Sequence, residues 1–97
     1  MYLYNISIII DESETTNFLP WLKNYLKTFE SNSISFLKMH NAQHEGETFC
    51  LHLRTDNTEA IETFKMECLS PIQSYIQENF HGKIFIFDSL MEHLPLS

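Results

Sequence analysis

The amino-acid sequence predicts an α+β fold whose elements follow the order β-α-β-β-α-β. Short segments rich in β-branched and aromatic residues alternate between apolar and polar positions, which is typical of strands. Two longer segments repeat apolar residues every three or four positions, which is typical of amphipathic helices. We expect strands near residues 2–10, 34–40, 48–55 and 83–88, and helices near residues 14–30 and 57–80.

The first strand and helix have the clearest patterns. Residues 2–10 alternate strictly, and the fully apolar side consists of Tyr4, Ile6, Ile8 and Ile10. Asp11-Glu12-Ser13 then interrupts the alternation and supplies acidic residues that favour a helix start. Pro20 lies near that start, where a missing N–H costs little.

Two strands joined by a polar loop predict a hairpin. In residues 34–40, we place Leu37 and Met39 on one side, and Phe36, Lys38 and His40 on the other. Residues 41–47 are polar and include Gly46, which favours a loop. In residues 48–55, one side carries Phe49, Leu51 and Leu53, and the other carries Cys50, His52 and Arg54.

The second helical segment is interrupted by a proline. We expect Asp56 or Thr58 to cap its start. Pro71 falls within the apolar stripe, so it should kink the helix or restart it with Ser70 as a new cap.

The predicted element order is the ferredoxin-like arrangement. Right-handed crossovers place both helices on one face of a four-stranded antiparallel sheet, so the other face has no cover within the chain. That uncovered face is predicted to carry Leu3, Asn5, Ser7, Ile9, Phe36, Lys38, His40, Cys50, His52 and Arg54. Because the face is half apolar, we expect a homodimer whose sheets pack face to face.

Length and charge limit the classes of protein to consider. The 97 residues predict a single domain over residues 1–97. Six basic residues against thirteen acidic ones give a net charge of −7, which opposes binding to nucleic acid or to anionic membranes. The sequence contains no apolar run near the ~20 residues of a membrane span, and its two cysteines favour reduced thiols. We therefore expect a cytoplasmic protein that binds neither nucleic acid nor membranes.

Polar residues on the uncovered face are the candidates for chemistry. If the first and third strands are neighbours, Asn5, Ser7, His52 and Arg54 converge, so that Arg54 could hold a carboxylate and His52 could move a proton. A polar dimer interface explains the same residues more simply. With Lys38 and His40 they form one set of ligand-binding or interface candidates, and catalytic residues remain unassigned.

The histidines also suggest a metal site, which we do not favour. His40, His44 and His52 lie near Glu45 and Glu47, and three imidazoles can form an open zinc site. However, His40 and His44 flank the start of a loop, so their spacing fixes no ligand geometry. We expect solvated histidines, no metal and no cofactor.

Several segments resemble one known family. These segments are YLYNISIIIDES, Trp21-Leu22, EAIETFKMECLSPIQSYIQENF and GKIFIFDSLMEHL, which together cover nearly the whole chain. They resemble a small bacterial family known only as a domain of unknown function. The resemblance implies a dimeric α/β-barrel of ferredoxin-like fold, about 100 residues long, and it implies no activity.

Three functions fit these observations. The favoured one is a non-enzymatic homodimeric domain that is structural or binds a small molecule. Its rival is a cofactor-independent enzyme resembling the monooxygenases and isomerases of the dimeric α/β-barrel type, with a pocket lined by Asn5, His52, Arg54 and aromatic residues of the helices. The third is regulatory ligand sensing. An enclosed cavity at His52 and Arg54 would favour the enzyme or ligand binding, whereas a flat interface that pairs both residues would disfavour them. The sequence leaves open whether residues 90–97 pack across the dimer or fray.

Overall fold

The computed structural model describes residues 1–40 and 45–97. Its elements are the strand Tyr2–Ile10 (β1), the helix Thr15–Leu26 (α1), the strands Ile34–Lys38 (β2) and Glu47–Thr55 (β3), the helix Thr58–Phe64 (α2), the π-helical turn Lys65–Leu69, the helix Ser70–Asn79 (α3) and the strand Ile84–Glu92 (β4). The predicted order β-α-β-β-α-β is confirmed, with α2, the π-helical turn and α3 together forming the second helical element.

The four strands form one antiparallel sheet in the order β2-β3-β1-β4. The central strand β1 pairs along all nine residues with both of its neighbours. At one end Tyr2 lies opposite Thr55 and Glu92. This arrangement confirms the ferredoxin-like fold predicted from the element order.

The core lies between the sheet and the helices. From β1 it takes the predicted side, Tyr4, Ile6, Ile8 and Ile10, each no more than 1% exposed. From β3 it takes Phe49, Leu51 and Leu53. From the helical elements it takes Phe18, Leu22, Leu26, Ile61, Phe64, Cys68, Leu69, Ile72 and Ile76. The predicted inward sides of β1 and β3 are therefore confirmed.

The predicted orientation of β2 is wrong by one residue. Phe36 pairs with the buried Leu51, and Lys38 pairs with Phe49, so both lie on the helix-covered side of the sheet. The Phe36 ring stacks on that of Phe49 at 5.6 Å between centroids. Residues opposite each other in a sheet share a face, so pairing with β3 decides the orientation of an edge strand whose own sequence is apolar on both sides.

The last strand is longer than the sequence indicated. Strand β4 covers Ile84–Glu92 rather than residues 83–88, because β1 offers it partners along nine residues. Beyond the strand, the His93 N–H donates to the Met1 carbonyl at 2.8 Å. Leu90 to Glu92 therefore belong to the sheet.

The caps of the second helical element also differ from the prediction. Asn57, rather than Asp56 or Thr58, caps α2, because its side-chain oxygen accepts the Glu59 N–H at 2.8 Å. Ser70 is helical and caps nothing, because the backbone continues from the π-helical turn into α3. Pro71 thus interrupts the hydrogen-bond pattern without ending the helix.

A tyrosine from the first helix compensates for the proline. Pro71 has no N–H to donate to the Glu67 carbonyl four residues earlier. The Tyr25 hydroxyl donates to that carbonyl at 3.1 Å and to the Cys68 carbonyl at 3.0 Å. This contact joins α1 to the π-helical turn.

Candidate functional site

The sheet face turned away from the helices, here called the open face, carries side chains from all four strands. Cross-strand pairing arranges these side chains in rows across the sheet. From one end to the other, the rows are Arg54–Leu3–Met91, Ser35–His52–Asn5–Ser89, Leu37–Cys50–Ser7–Phe87 and Met39–Thr48–Ile9–Phe85.

Large apolar side chains dominate the open face. Five of them are strongly exposed: Leu37 at 44%, Met39 at 43%, Phe85 at 54%, Phe87 at 60% and Met91 at 46%. Leu3 and Ile9 lie between them and are half-buried. Exposed apolar side chains grouped on one face are typical of an interaction surface.

Sequence reasoning missed these five residues. Leu37 and Met39 were assigned to the opposite side of β2, and no side was assigned to β4. The alternation within β4 was the available signal, because Ile84 and Ile86 point towards the core whereas Phe85 and Phe87 point outwards.

A row of polar residues crosses the apolar surface. Asn5 lies opposite His52 on one side and Ser89 on the other, and His52 lies opposite Ser35. The Asn5 amide donates to the Ser7 hydroxyl at 2.9 Å, and that hydroxyl lies 3.9 Å from the Cys50 sulfur. The structure therefore brings Asn5, Ser7 and His52 together, as the sequence suggested.

The other candidates are placed apart from this row. Arg54 is on the open face, but its guanidinium donates to the Asn32 carbonyl at 3.2 Å, in the turn before β2. Lys38 lies on the helix-covered side, 3.4 Å from a Glu47 carboxylate oxygen. His40 is exposed beyond the end of β2. The predicted position of Lys38 on the open face is therefore wrong, and His40 lies outside the strands that form this face.

The clefts described in the structure lie away from the polar residues of the open face. One, of ≈ 320 Å³, runs between α1 and β2, and another, of ≈ 350 Å³, lies beside α2. Neither is lined by Asn5, Ser7, His52 or Arg54. Neither cleft is therefore the pocket that the enzyme hypothesis requires at Asn5, His52 and Arg54.

Two of the three histidines suggested as metal ligands, His40 and His52, lie within the described residues. His44 lies outside the described residues. Over residues 1–40 and 45–97, no group of three or more His, Cys, Asp or Glu side chains is arranged to hold a metal ion. Across the same residues, no helix is both long and apolar enough to cross a bilayer.

The two cysteines have different surroundings. Cys50 belongs to the open face and is 8% exposed, whereas Cys68 is fully buried beneath the helices. Burial raises the pKa of the Cys68 thiol to about 12, because a thiolate would lose its hydration there. Cys68 is therefore a structural residue rather than a nucleophile.

The helix-covered sheet with one open face defines the class of this protein, a ferredoxin-like α+β domain. The chain belongs to the family described as "Domain of unknown function (DUF4286)", whose model matches residues 1–94. This match confirms the resemblance found in the sequence. No curated protein sequence matches the chain.

Solved structures share the fold at low sequence identity. A de novo designed protein, Foldit4, is 17% identical, with 96% of this chain and 98% of that chain covered and a TM-score of 0.59. A dimeric ferredoxin-like protein from an uncultured marine organism is 9% identical, with 93% and 91% covered and a TM-score of 0.56. CPII, a nitrogen regulatory PII-like protein from Thiomonas intermedia K12 bound to ADP, AMP and bicarbonate, is 11% identical, with 98% of both chains covered. Its TM-score is 0.40, so only the first two likenesses support the fold.

Proposed function

We propose that this chain is a non-enzymatic domain that acts as a homodimer, with the open face as the dimer interface. One observation carries the proposal: five large apolar side chains on this face are between 43% and 60% exposed. Covering them with protein removes apolar surface from water, which is the main driving force of association.

The size of the open face suits a stable dimer. Four strands of five to nine residues, at standard strand spacings, span roughly 520 Å² per protomer. Two copies would therefore bury about 1,000 Å² in total, at the lower limit of ~1,000 Å² expected of a specific interface. The same patch on both copies also satisfies two-fold symmetry.

The distribution of charge favours a second copy as the partner. The chain has thirteen acidic residues and a net charge of −7, so two copies repel each other over most of their surface. None of the thirteen carboxylates belongs to the four rows of the open face. This face is therefore a place where two such acidic chains can meet without burying carboxylates against each other.

The polar row gives the interface its specificity. Ser35, His52, Asn5 and Ser89 cross the middle of the face, and in a dimer they lose contact with water. Buried polar groups need hydrogen-bond partners, so the two rows must find partners in each other. That requirement favours one docking register over others that are equally apolar.

The test compares two aspartate substitutions that introduce the same charge. Phe87 is on the open face and 60% exposed, whereas Met66 is 74% exposed on the helical side. By analytical ultracentrifugation at about 20 µM, we expect wild type and Met66→Asp to have twice the 11.5 kDa chain mass. Phe87→Asp should sediment as a monomer, because its carboxylates would be buried without a partner. A monomeric wild type, or a Phe87→Asp variant as dimeric as wild type, would overturn the proposal.

A further inference from the structure

We propose that the cleft between α1 and the edge strand β2 is a binding site for an amphipathic organic anion, meaning a carboxylate with an apolar body. We call it the α1–β2 groove. Its floor is formed by Leu26, Ile34, Phe36 and Leu51, and its rim carries Lys23 and Lys27. It lies on the helix-covered side of the sheet, so it is separate from the proposed dimer interface.

The floor of the groove is apolar and partly open. Leu51 is fully buried and Leu26 is 8% exposed, whereas Ile34 and Phe36 keep half-buried surfaces that face the cleft. The cleft volume of ≈ 320 Å³ is at the lower end of the range for small-molecule sites. An apolar ligand body can therefore cover side chains that the chain itself leaves partly uncovered.

The rim is cationic in an acidic protein. Lys23 lies in the last turn of α1, and Lys27 follows its last residue with the backbone still helical, so the two ammonium groups share one side and repel each other. Over the described part of the chain, the ion pairs involve other lysines, Lys38 and Lys65, and leave these two aside. Glu30 is the carboxylate at the same cleft.

An anionic head group would be electrostatically complementary to these two lysines. Near the two ammonium groups it would form charge-assisted hydrogen bonds and relieve their mutual repulsion. Their position near the end of α1 also suits the helix dipole, which explains a preference for basic residues there. The helix dipole explains the lysines but not the apolar floor beside them. An amphipathic anion would explain both the lysines and the apolar floor.

An adjoining cleft makes the groove long. This second cleft, of ≈ 420 Å³, shares Lys23 and Phe36 with the first and continues along β2, past Leu37 at the edge of the open face, towards Lys38 and Glu47. Because Lys38 is paired with Glu47, the far end offers no free cation to a second head group. The site therefore suits one acidic head with an extended apolar tail.

The experiment is a calorimetric titration of the full chain with dodecanoate, below its micelle concentration, and with octanoate. We expect dodecanoate to bind at least ~10-fold more tightly, because four more methylenes are covered. Dodecyltrimethylammonium, with the same tail and the opposite charge, should bind at least ~10-fold more weakly than dodecanoate.

Two double variants with equal net charge test the position of the site. Lys23→Gln/Lys27→Gln should weaken dodecanoate binding at least ~10-fold. Lys65→Gln/Lys83→Gln, which removes two exposed or half-exposed lysines elsewhere, should leave it unchanged. Phe87→Asp should also bind normally, which separates the groove from the apolar open face.

Three results obtained with dodecanoate would overturn the assignment. They are no dodecanoate binding to wild type, equal loss in the two double variants, and loss of binding in Phe87→Asp. Binding of only an acidic extended peptide, added to the free edge of β2, would also overturn it in favour of a protein partner. The dimer mass of each lysine variant is measured in parallel, so failure of the groove is distinguishable from failure of the dimer.

Discussion

The two faces of the sheet are built from the same strands but have different roles. On the helix-covered face, Ile8 is fully buried, while on the open face Phe87, its neighbour one row away, is 60% exposed. Both faces are rich in apolar side chains. The difference shows that apolarity alone does not identify the core of the protein, because the helices cover one face and leave the other exposed.

This contrast separates folding from association. Side chains on the helix-covered face contribute to the stability of each protomer, since helices and strands of one chain bury them. In the proposed dimer, side chains on the open face contribute mainly when a second copy covers them. Substitutions on the two faces should therefore affect different measured quantities.

Two adjacent isoleucines provide the most direct test of this contrast. Ile8 points into the core and Ile9 points to the open face. In the Phe87→Asp background, urea denaturation should show that Ile8→Ala loses about 2–5 kcal/mol of unfolding free energy. Ile9→Ala should lose only about 1 kcal/mol or less there, yet weaken dimerisation in an otherwise wild-type chain. Equal losses from the two substitutions would contradict the assigned faces.

The two thiols extend the comparison to pH. Burial raises the pKa of Cys68 from 9.0 to about 12, so the unfolded chain releases this proton at lower pH than the folded one. The protonated Cys68 thiol therefore contributes fully to the free energy of unfolding below pH 9. This contribution is lost as pH rises towards 12, by about 1.4 kcal/mol per pH unit. Between pH 8 and pH 11, the unfolding free energy from urea denaturation should fall less steeply with pH in Cys68→Ala than in Cys50→Ala, the control on the open face.

Part of the fall in unfolding free energy with pH should remain in Cys68→Ala. Burial also raises the pKa of Tyr25 to about 12, so this hydroxyl contributes to the same alkaline loss. An unchanged slope in Cys68→Ala would show that the thiol is not buried in the folded state.

The smallest expected effect concerns the hydrogen bonds of Tyr25, which join α1 to the π-helical turn. Tyr25→Phe removes the donor to the Glu67 and Cys68 carbonyls, so it should cost about 0.5–1.5 kcal/mol. Tyr75→Phe is a matched control, because the Tyr75 ring stacks on Trp21 at 3.7 Å and that stacking survives the change. If both variants unfold at the same urea concentration as wild type, the Tyr25 contact adds no stability.

The sequence predicted the parts of the fold whose pattern is set locally. Strand β1 has the predicted limits because its alternation separates a fully apolar side from a mixed one. Strand β3 and both helical elements carry patterns of similar clarity. In each case one side of the element is buried, so the periodicity of burial is visible in the sequence.

What the sequence did not predict depends on pairing with other strands. Strand β2 alternates between two apolar sets, so only its register with β3 places Phe36 inwards and Leu37 outwards. Strand β4 extends to Glu92 because β1 provides partners there. Only part of the open face could therefore be predicted. Asn5, Ser7 and His52 lie on strands with a clear pattern and were predicted, whereas the exposed apolar residues of β2 and β4 were missed.

The π-helical turn Lys65–Leu69 has a consequence for the angular phase of the second helical element. Its main buried residues, Ile61, Phe64, Cys68, Ile72 and Ile76, are separated by steps of three, four, four and four. In an uninterrupted α-helix these steps would rotate the last residue about 60° away from the first. A π-helical turn holds more residues per turn, so it takes up this rotation. The two halves of the helix can therefore follow one straight seam on the sheet, and the length of the turn, rather than the proline after it, keeps them in phase.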